Sequence, residues 1–231
     1  MNKKDLLDIL EAIASDMYFN EFKIRKSDNC IICKTDYGYK RVSFSYYNSY
    51  DLSRDDLALA ITPAYGIRFS VLHKWFEKYS KRSLADQRDD YSIGFVGSMI
   101  GVENEFFFLE NRKEYEKDLQ KLYNEVIKNA KLIFTKFGTI KSYYDHYIDE
   151  AIKGKKSLPS IGFEWVIEYL IATKLVAPAN YVYVKKLILE RVDFMMKRGE
   201  PNIAMYYHNL PMILDDLEST DFSTGKWGQI P

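Results

Sequence analysis

The chain of 231 residues is poor in the residues that staple, bend or charge a protein: it carries 2 Cys, 11 Gly and 6 Pro, and 33 Lys and Arg stand against 33 Asp and Glu. A chain of this length buries a core without staples, and an intracellular disulfide between the two cysteines is not expected. A formal net charge of zero gives no global field toward nucleic acid or an anionic membrane, so neither is expected as a partner. No apolar run reaches the length of a membrane span, because the stretch Trp165 to Leu175 is interrupted by Glu168, Thr173 and Lys174. Met1-Asn2-Lys3-Lys4 opens like the basic part of a signal, but Asp5, Asp8 and Glu11 break any apolar segment behind it, and the expected location is cytoplasmic.

Local catalytic signatures are missing too. There is no G-x-S-x-G elbow, no Walker loop and no G-x-G-x-x-G. Gly94, Gly97 and Gly101 precede no amphipathic helix and read as bends or close packing within strands. No cofactor or metal is expected from these patterns. A site gathered from distant residues stays open.

What is abundant is aromatic: 19 Tyr, 14 Phe and 3 Trp within a chain that is 47% apolar and 29% charged, the balance of an ordinary globular protein. Tyrosine buries its ring with the hydroxyl at a boundary, so many of these side chains belong at the edge of a core or on a contact face.

Apolar spacing at Leu6, Leu10, Ile13 and Met17 predicts a helix over residues 3–18 with Asn2 as its N-cap. Residues 29–35 and 40–47 read as a hairpin around Asp36-Tyr37-Gly38-Tyr39, with Val42, Phe44 and Tyr46 on its covered face. Alternation at Leu57, Leu59 and Ile61 is broken at Thr62-Pro63 and resumes at Tyr65, Ile67 and Phe69, which implies an edge position, a bulge or two separate strands. A short helix around Trp75 ends in the polar stretch 80–90, and 92–100 and 104–109 read as strands. Beyond Arg112 the pattern is helical: a long helix to Phe137, another from Tyr143 to Ala151, then 163–175, 181–198 and 202–218, with Pro211 kinking the last or starting a new one. The fold class is therefore α+β: an N-terminal mixed or antiparallel sheet with packed helices, followed by an all-helical C-terminal part. Breakers near 153–159 place a boundary between an α+β domain, 1–153, and a helical subdomain, 154–231.

Three clusters invite a chemical reading. Cys30 and Cys33 form C-x-x-C within a strand-like run, where residues three apart point to opposite faces, so both read as structural. Asp145, His146, Asp149 and Glu150 gather titratable groups, but two ligands one helical turn apart make no site, and a solvated, ion-paired face is the better account. Lys153, Lys155 and Lys156 read as a solvated loop. Tyr65 and Arg68 are the candidate binding residues: Arg68 alternates away from Ile67 and Phe69, and beside Tyr65 it has the composition of an aromatic and cationic contact face. An Arg covering apolar surface with its stem at a sheet edge is the plainer alternative.

The opening helix, the Tyr- and Ser-rich hairpin, and Gly66-Ile67-Arg68-Phe69 followed by Trp75-Phe76-Glu77 resemble small bacterial proteins of unknown function that include immunity proteins of polymorphic toxin systems. That resemblance implies a cytosolic, non-catalytic protein that blocks a toxin through a surface. The expectation is thus a protein-binding module with a protein partner. The competing expectation is an enzyme whose site collects His146, Asp149, Glu150 or Arg68 in a cleft between the sheet and the helices.

Overall fold

A computed structural model describes residues 3–51, 56–96, 106–109, 115–155 and 163–231. The fold is α+β, with antiparallel strand ladders in the N-terminal half and helices after them. Two compact units interleave along the chain: residues 1–68 with 93–136, and residues 69–92 with 137–231. This division differs from the contiguous one at 153/154, because strand β4 runs directly into a helical insertion that belongs with the C-terminal helices. The breakers at 156–159 lie outside the described residues.

In the first unit, helix α1 (Lys3–Ala14) buries Leu6, Ile9, Leu10 and Ile13. It stops four residues short of the expected end, since Asp16 accepts from the Tyr18 amide at 2.7 Å and caps a new 3-10 turn, Met17–Phe19. The expected cap at Asn2 lies outside the described residues. Strands β1 (Lys23–Arg25), β2 (Cys30–Thr35) and β3 (Gly38–Asp51) follow, the first too short to leave a periodic signal. Asn29 enters β2 at φ 47°, a left-handed conformation that Asn tolerates better than most residues. The register Thr35↔Gly38 to Cys30↔Ser43 makes β2 and β3 the expected hairpin around Asp36-Tyr37. Val42 and Phe44 are buried as expected, but Tyr46 is exposed, because β3 has already passed the end of β2 at Ser43.

Strand β4 (Asp56–Phe69) is one continuous strand despite Pro63. It neighbours β3 and also pairs antiparallel with β5 (Ile93–Val96) and β6 (Phe106–Leu109). β6 pairs residues 58–61 and β5 pairs 64–67, so Thr62 and Pro63 fall between the two ladders. A proline can therefore sit within a central strand without deleting a rung of either. Helix α4 (Tyr115–Lys136) packs on β6 and on α1, and buries Leu122, Val126, Ala130 and Ile133 along the expected stripe.

The second unit opens with α2 (Ser70–His73), a 3-10 turn at Phe76–Lys78 and α3 (Leu84–Asp89), the last within the polar stretch 80–90. Its Ser83 cap accepts from the Asp86 amide at 3.1 Å, a start that the lack of an apolar stripe conceals. Helix α5 (Ile140–Tyr144), a π-helical turn at Asp145–Asp149 and α6 (Glu150–Ile152) form one rod. Then come α7 (Phe163–Val176), α8 (Tyr181–Lys197), α9 (Pro201–Tyr207) and α10 (Leu210–Ser219). Pro211 lies in the first turn of α10, where its missing N–H has no helical partner to lose, so it starts a helix. α7 buries Phe163 and every residue from Val166 to Thr173, and it contacts α2, α5, α8 and α9.

The C-terminal end of α10 is closed by a lysine. Lys174 Nζ donates to the carbonyls of Leu217, Glu218 and Thr220 at 2.8, 3.0 and 3.0 Å, satisfying acceptors that a helix end leaves open. Trp75 Nε1 donates to Thr220 Oγ1 at 2.9 Å, Tyr79 Oη to Asp216 Oδ2 at 2.6 Å, and Lys78 pairs with the same carboxylate.

Bonds from Lys78 and Tyr79 hold the Asp216 carboxyl below its ordinary value of 3.8. A carboxylate with a depressed folded pKa adds stability that is complete above its unfolded pKa and lost as the pH falls through its folded pKa. Asp216→Asn should therefore lower stability at neutral pH, and its deficit relative to the parent should shrink as acid protonates the parent's Asp216. Urea unfolding across an acid pH series measures this; a constant deficit would show that the carboxylate charge contributes nothing.

Candidate functional site

The interior of the second unit holds one chain of buried polar side chains. His73, the last residue of α2, is held between Ser92 and α7: Nε2 lies 2.8 Å from Ser92 Oγ and Nδ1 lies 3.3 Å from Glu168 Oε1. Ser92 Oγ also accepts the Phe69 backbone N–H at 3.1 Å. One proton arrangement serves all of these contacts: Nδ1–H directed at the Glu168 carboxylate, and the Ser92 hydroxyl donating to Nε2. On the far side, Tyr143 Oη donates to Glu168 Oε2 at 3.4 Å. Relative exposures are 0% for Ser92, 9% for His73, 2% for Glu168 and 0% for Tyr143.

Three phenols surround this carboxylate. Tyr143 lies 5.2 Å from Tyr147 and 5.9 Å from Tyr169, ring centre to ring centre. Burial, reinforced by the nearby Glu168, pushes Tyr143 well above its ordinary pKa, raises Tyr169, and takes Tyr147 up to about 12. All three are neutral hydrogen-bonding groups at physiological pH. The π-helical turn at Asp145–Asp149 carries Tyr147 into this cluster.

In order and atom identity, Ser92 Oγ, His73 Nε2, His73 Nδ1 and a Glu168 oxygen repeat the serine–histidine–carboxylate relay of acyl-transfer enzymes. The surroundings differ. The adjoining cavity, lined by Leu72, His73, Phe76, Gln87, Asp90, Glu164 and Glu168, measures about 10 Å³, room for a single water. Phe76, Phe163 and Tyr206 pack beside it with ring centres 4.7–5.6 Å apart. Ser92 does not line this cavity and is fully buried. The arrangement sets an imidazole and a phenol beside a carboxyl group inside an apolar helix and ties α2, α7 and the residue before β5 together.

The residues singled out in the sequence are placed elsewhere. Tyr65 and Arg68 are 1% and 4% exposed, so neither offers the contact face their alternation suggested; β4 is covered where they stand. Tyr65 sits by Asn129 and Glu125 of α4, and burial raises its phenol. Asp145, Asp149 and Glu150 pair with Lys141, Lys153 and Lys155, while the His146 ring stands edge-on to Phe137 at 5.1 Å. Among the described residues, no group of three His, Cys, Asp or Glu is arranged to hold a metal. Cys30 and Cys33 are buried free thiols, and burial raises the Cys33 thiol pKa. The His73–Glu168 pair went unread because its members are 95 positions apart in sequence. The available signal was Glu168 itself, a carboxylate inside an apolar run.

Apolar surface is concentrated differently. On α8, Val182, Tyr183 and Phe194 are 80%, 50% and 46% exposed, while Val184, Ile188, Val192 and Met195 of the same helix are buried. Met205 on α9 and Met212 on α10 are 51% and 55% exposed. Among the described residues no helix is long and apolar enough to cross a membrane. Comparison with family models, curated proteins and solved structures returns no match.

Ser92→Ala removes the hydroxyl that the Phe69 N–H and His73 Nε2 share and should cost about 1–3 kcal/mol. Glu168→Leu, which leaves the neutral His73 imidazole and the Tyr143 phenol facing an apolar side chain, should cost about 1–3 kcal/mol. Urea unfolding of the full chain measures both. A fluorophosphonate probe should leave Ser92 unlabelled in the native protein; stoichiometric labelling would mean that the relay is open to substrates.

Proposed function

We propose that the chain is a non-catalytic protein-binding module whose contact surface is the outer face of α8. The supporting observation is the exposure of Val182, Tyr183 and Phe194 on a helix whose opposite face already fills the core. Aromatic, Met and Arg side chains are the types enriched where proteins meet. Single exposed apolar residues are ordinary on any protein; several large ones sharing one helix are the pattern of a contact site. The likeness of the N-terminal region to immunity proteins names one class of partner, a toxin whose activity the module would block.

The test uses the tagged full-length chain as bait at physiological salt, with wild type and a Tyr183→Asp/Phe194→Asp variant in parallel. One protein should be enriched by the wild type and lost from the variant, while the melting temperature stays unchanged because both side chains are at the surface. Identical recovery by the two baits would remove α8 from consideration. If the enriched protein is a toxin, co-expression of the wild type, and not of the variant, should protect growth.

A further inference from the structure

We infer that the surface around Phe194 receives an acidic segment of the partner protein, with a carboxylate held between Arg191 and Arg198 and an apolar side chain laid against Phe194. This rests on the protein-binding reading and specifies its chemistry. Arg191, Phe194 and Arg198 are spaced three and four apart, so they share one helix face. The two guanidinium carbons lie 5.1 and 5.6 Å from the Phe194 ring centre, one from each side along the helix. Stacking on a ring removes rotational freedom from a planar group whose fork matches a carboxylate bidentately.

Neither guanidinium has a carboxylate partner among the described residues, and Arg191 Nε is buried without a hydrogen-bond acceptor. Elsewhere on α8 charge is already matched: Lys185 pairs with Glu218, and Asp193 accepts from Tyr207 Oη at 2.9 Å. Cations at the end of a helix interact favourably with its dipole, which accounts for Lys197 and Arg198. It does not account for Arg191, which lies further from the end of α8 than the last turn. The remaining charges of this face are Lys186, Arg191, Lys197 and Arg198 against Glu190, an excess of positive charge that complements an acidic partner. Glu190 also interrupts the basic track that a nucleic-acid backbone would follow, so the pattern fits separate carboxylates on a protein better than a continuous row of phosphates.

The probe is a synthetic amphipathic helical peptide with Glu and Leu on one face, titrated into isotopically labelled full-length protein and followed by NMR. Saturable shifts should appear at the Arg191 and Arg198 side-chain Nε–Hε groups and at amides of residues 183–198. Arg191→Glu/Arg198→Glu should weaken the peptide at least tenfold, and Arg191→Lys/Arg198→Lys should weaken it less. Absence of shifts at these groups, equal binding of a peptide with Gln in place of Glu, or tighter binding of an oligothymidylate would each overturn the inference. Its failure is separable from that of the broader reading. If partner capture is lost with Tyr183→Asp/Phe194→Asp but kept with Arg191→Glu/Arg198→Glu, α8 remains the contact surface and the acidic partner is wrong.

Discussion

A helix that is apolar on nearly every side has to be wrapped, and α7 imposes that requirement on the C-terminal half of this protein. Its residues Val166 to Thr173 are buried without a break, so helices must close around it on several sides at once. The wrapping includes a carboxylate. A buried polar group needs polar neighbours, and Glu168 has His73 on one neighbouring helix and Tyr143 on another. The same demand draws in Ser92, whose hydroxyl links the imidazole to the Phe69 backbone. Contacts to this one carboxyl group join α2, α5 and α7.

Resemblance of a polar chain to a catalytic relay is a statement about atom order, and atom order alone does no chemistry. A relay needs a space beside its nucleophile in which a reacting carbonyl can sit. Here Ser92 is fully buried and its Oγ already accepts a backbone amide. The network links Phe69, Ser92, His73, Glu168 and Tyr143. Apolar area is left unclaimed on α8, where Tyr183 and Phe194 face outward and two guanidinium groups flank the ring of Phe194.

Strand β4 shows how tertiary context can accommodate a residue that local rules place at an edge. Pro63 lies in a strand with neighbours on both sides, and the clash with local expectation disappears because the β6 ladder ends at Ile61 and the β5 ladder begins at Ala64. The same context inverts the reading of Tyr65 and Arg68. Alternation correctly marks strand geometry, but an alternating polar residue is exposed only when one sheet face is wet, and at Arg68 it is covered.

Periodicity alone determined the long elements: α1, α4, α7 and α8, the β2–β3 hairpin and the α+β class, while at Pro211 it left a kink and a new helix both open. These are local consequences of spacing, capping and proline geometry, which a single stretch of chain carries within itself. The tertiary structure decided the rest. Short elements such as β1 and α3 lack the length to show a period. The interleaved division into two units and the meeting of His73 with Glu168 depend on contacts between residues far apart in sequence. Exposure, which separates Tyr183 and Phe194 from Tyr65 and Arg68, is a property of what the folded chain places on top of a side chain, and no local pattern encodes it.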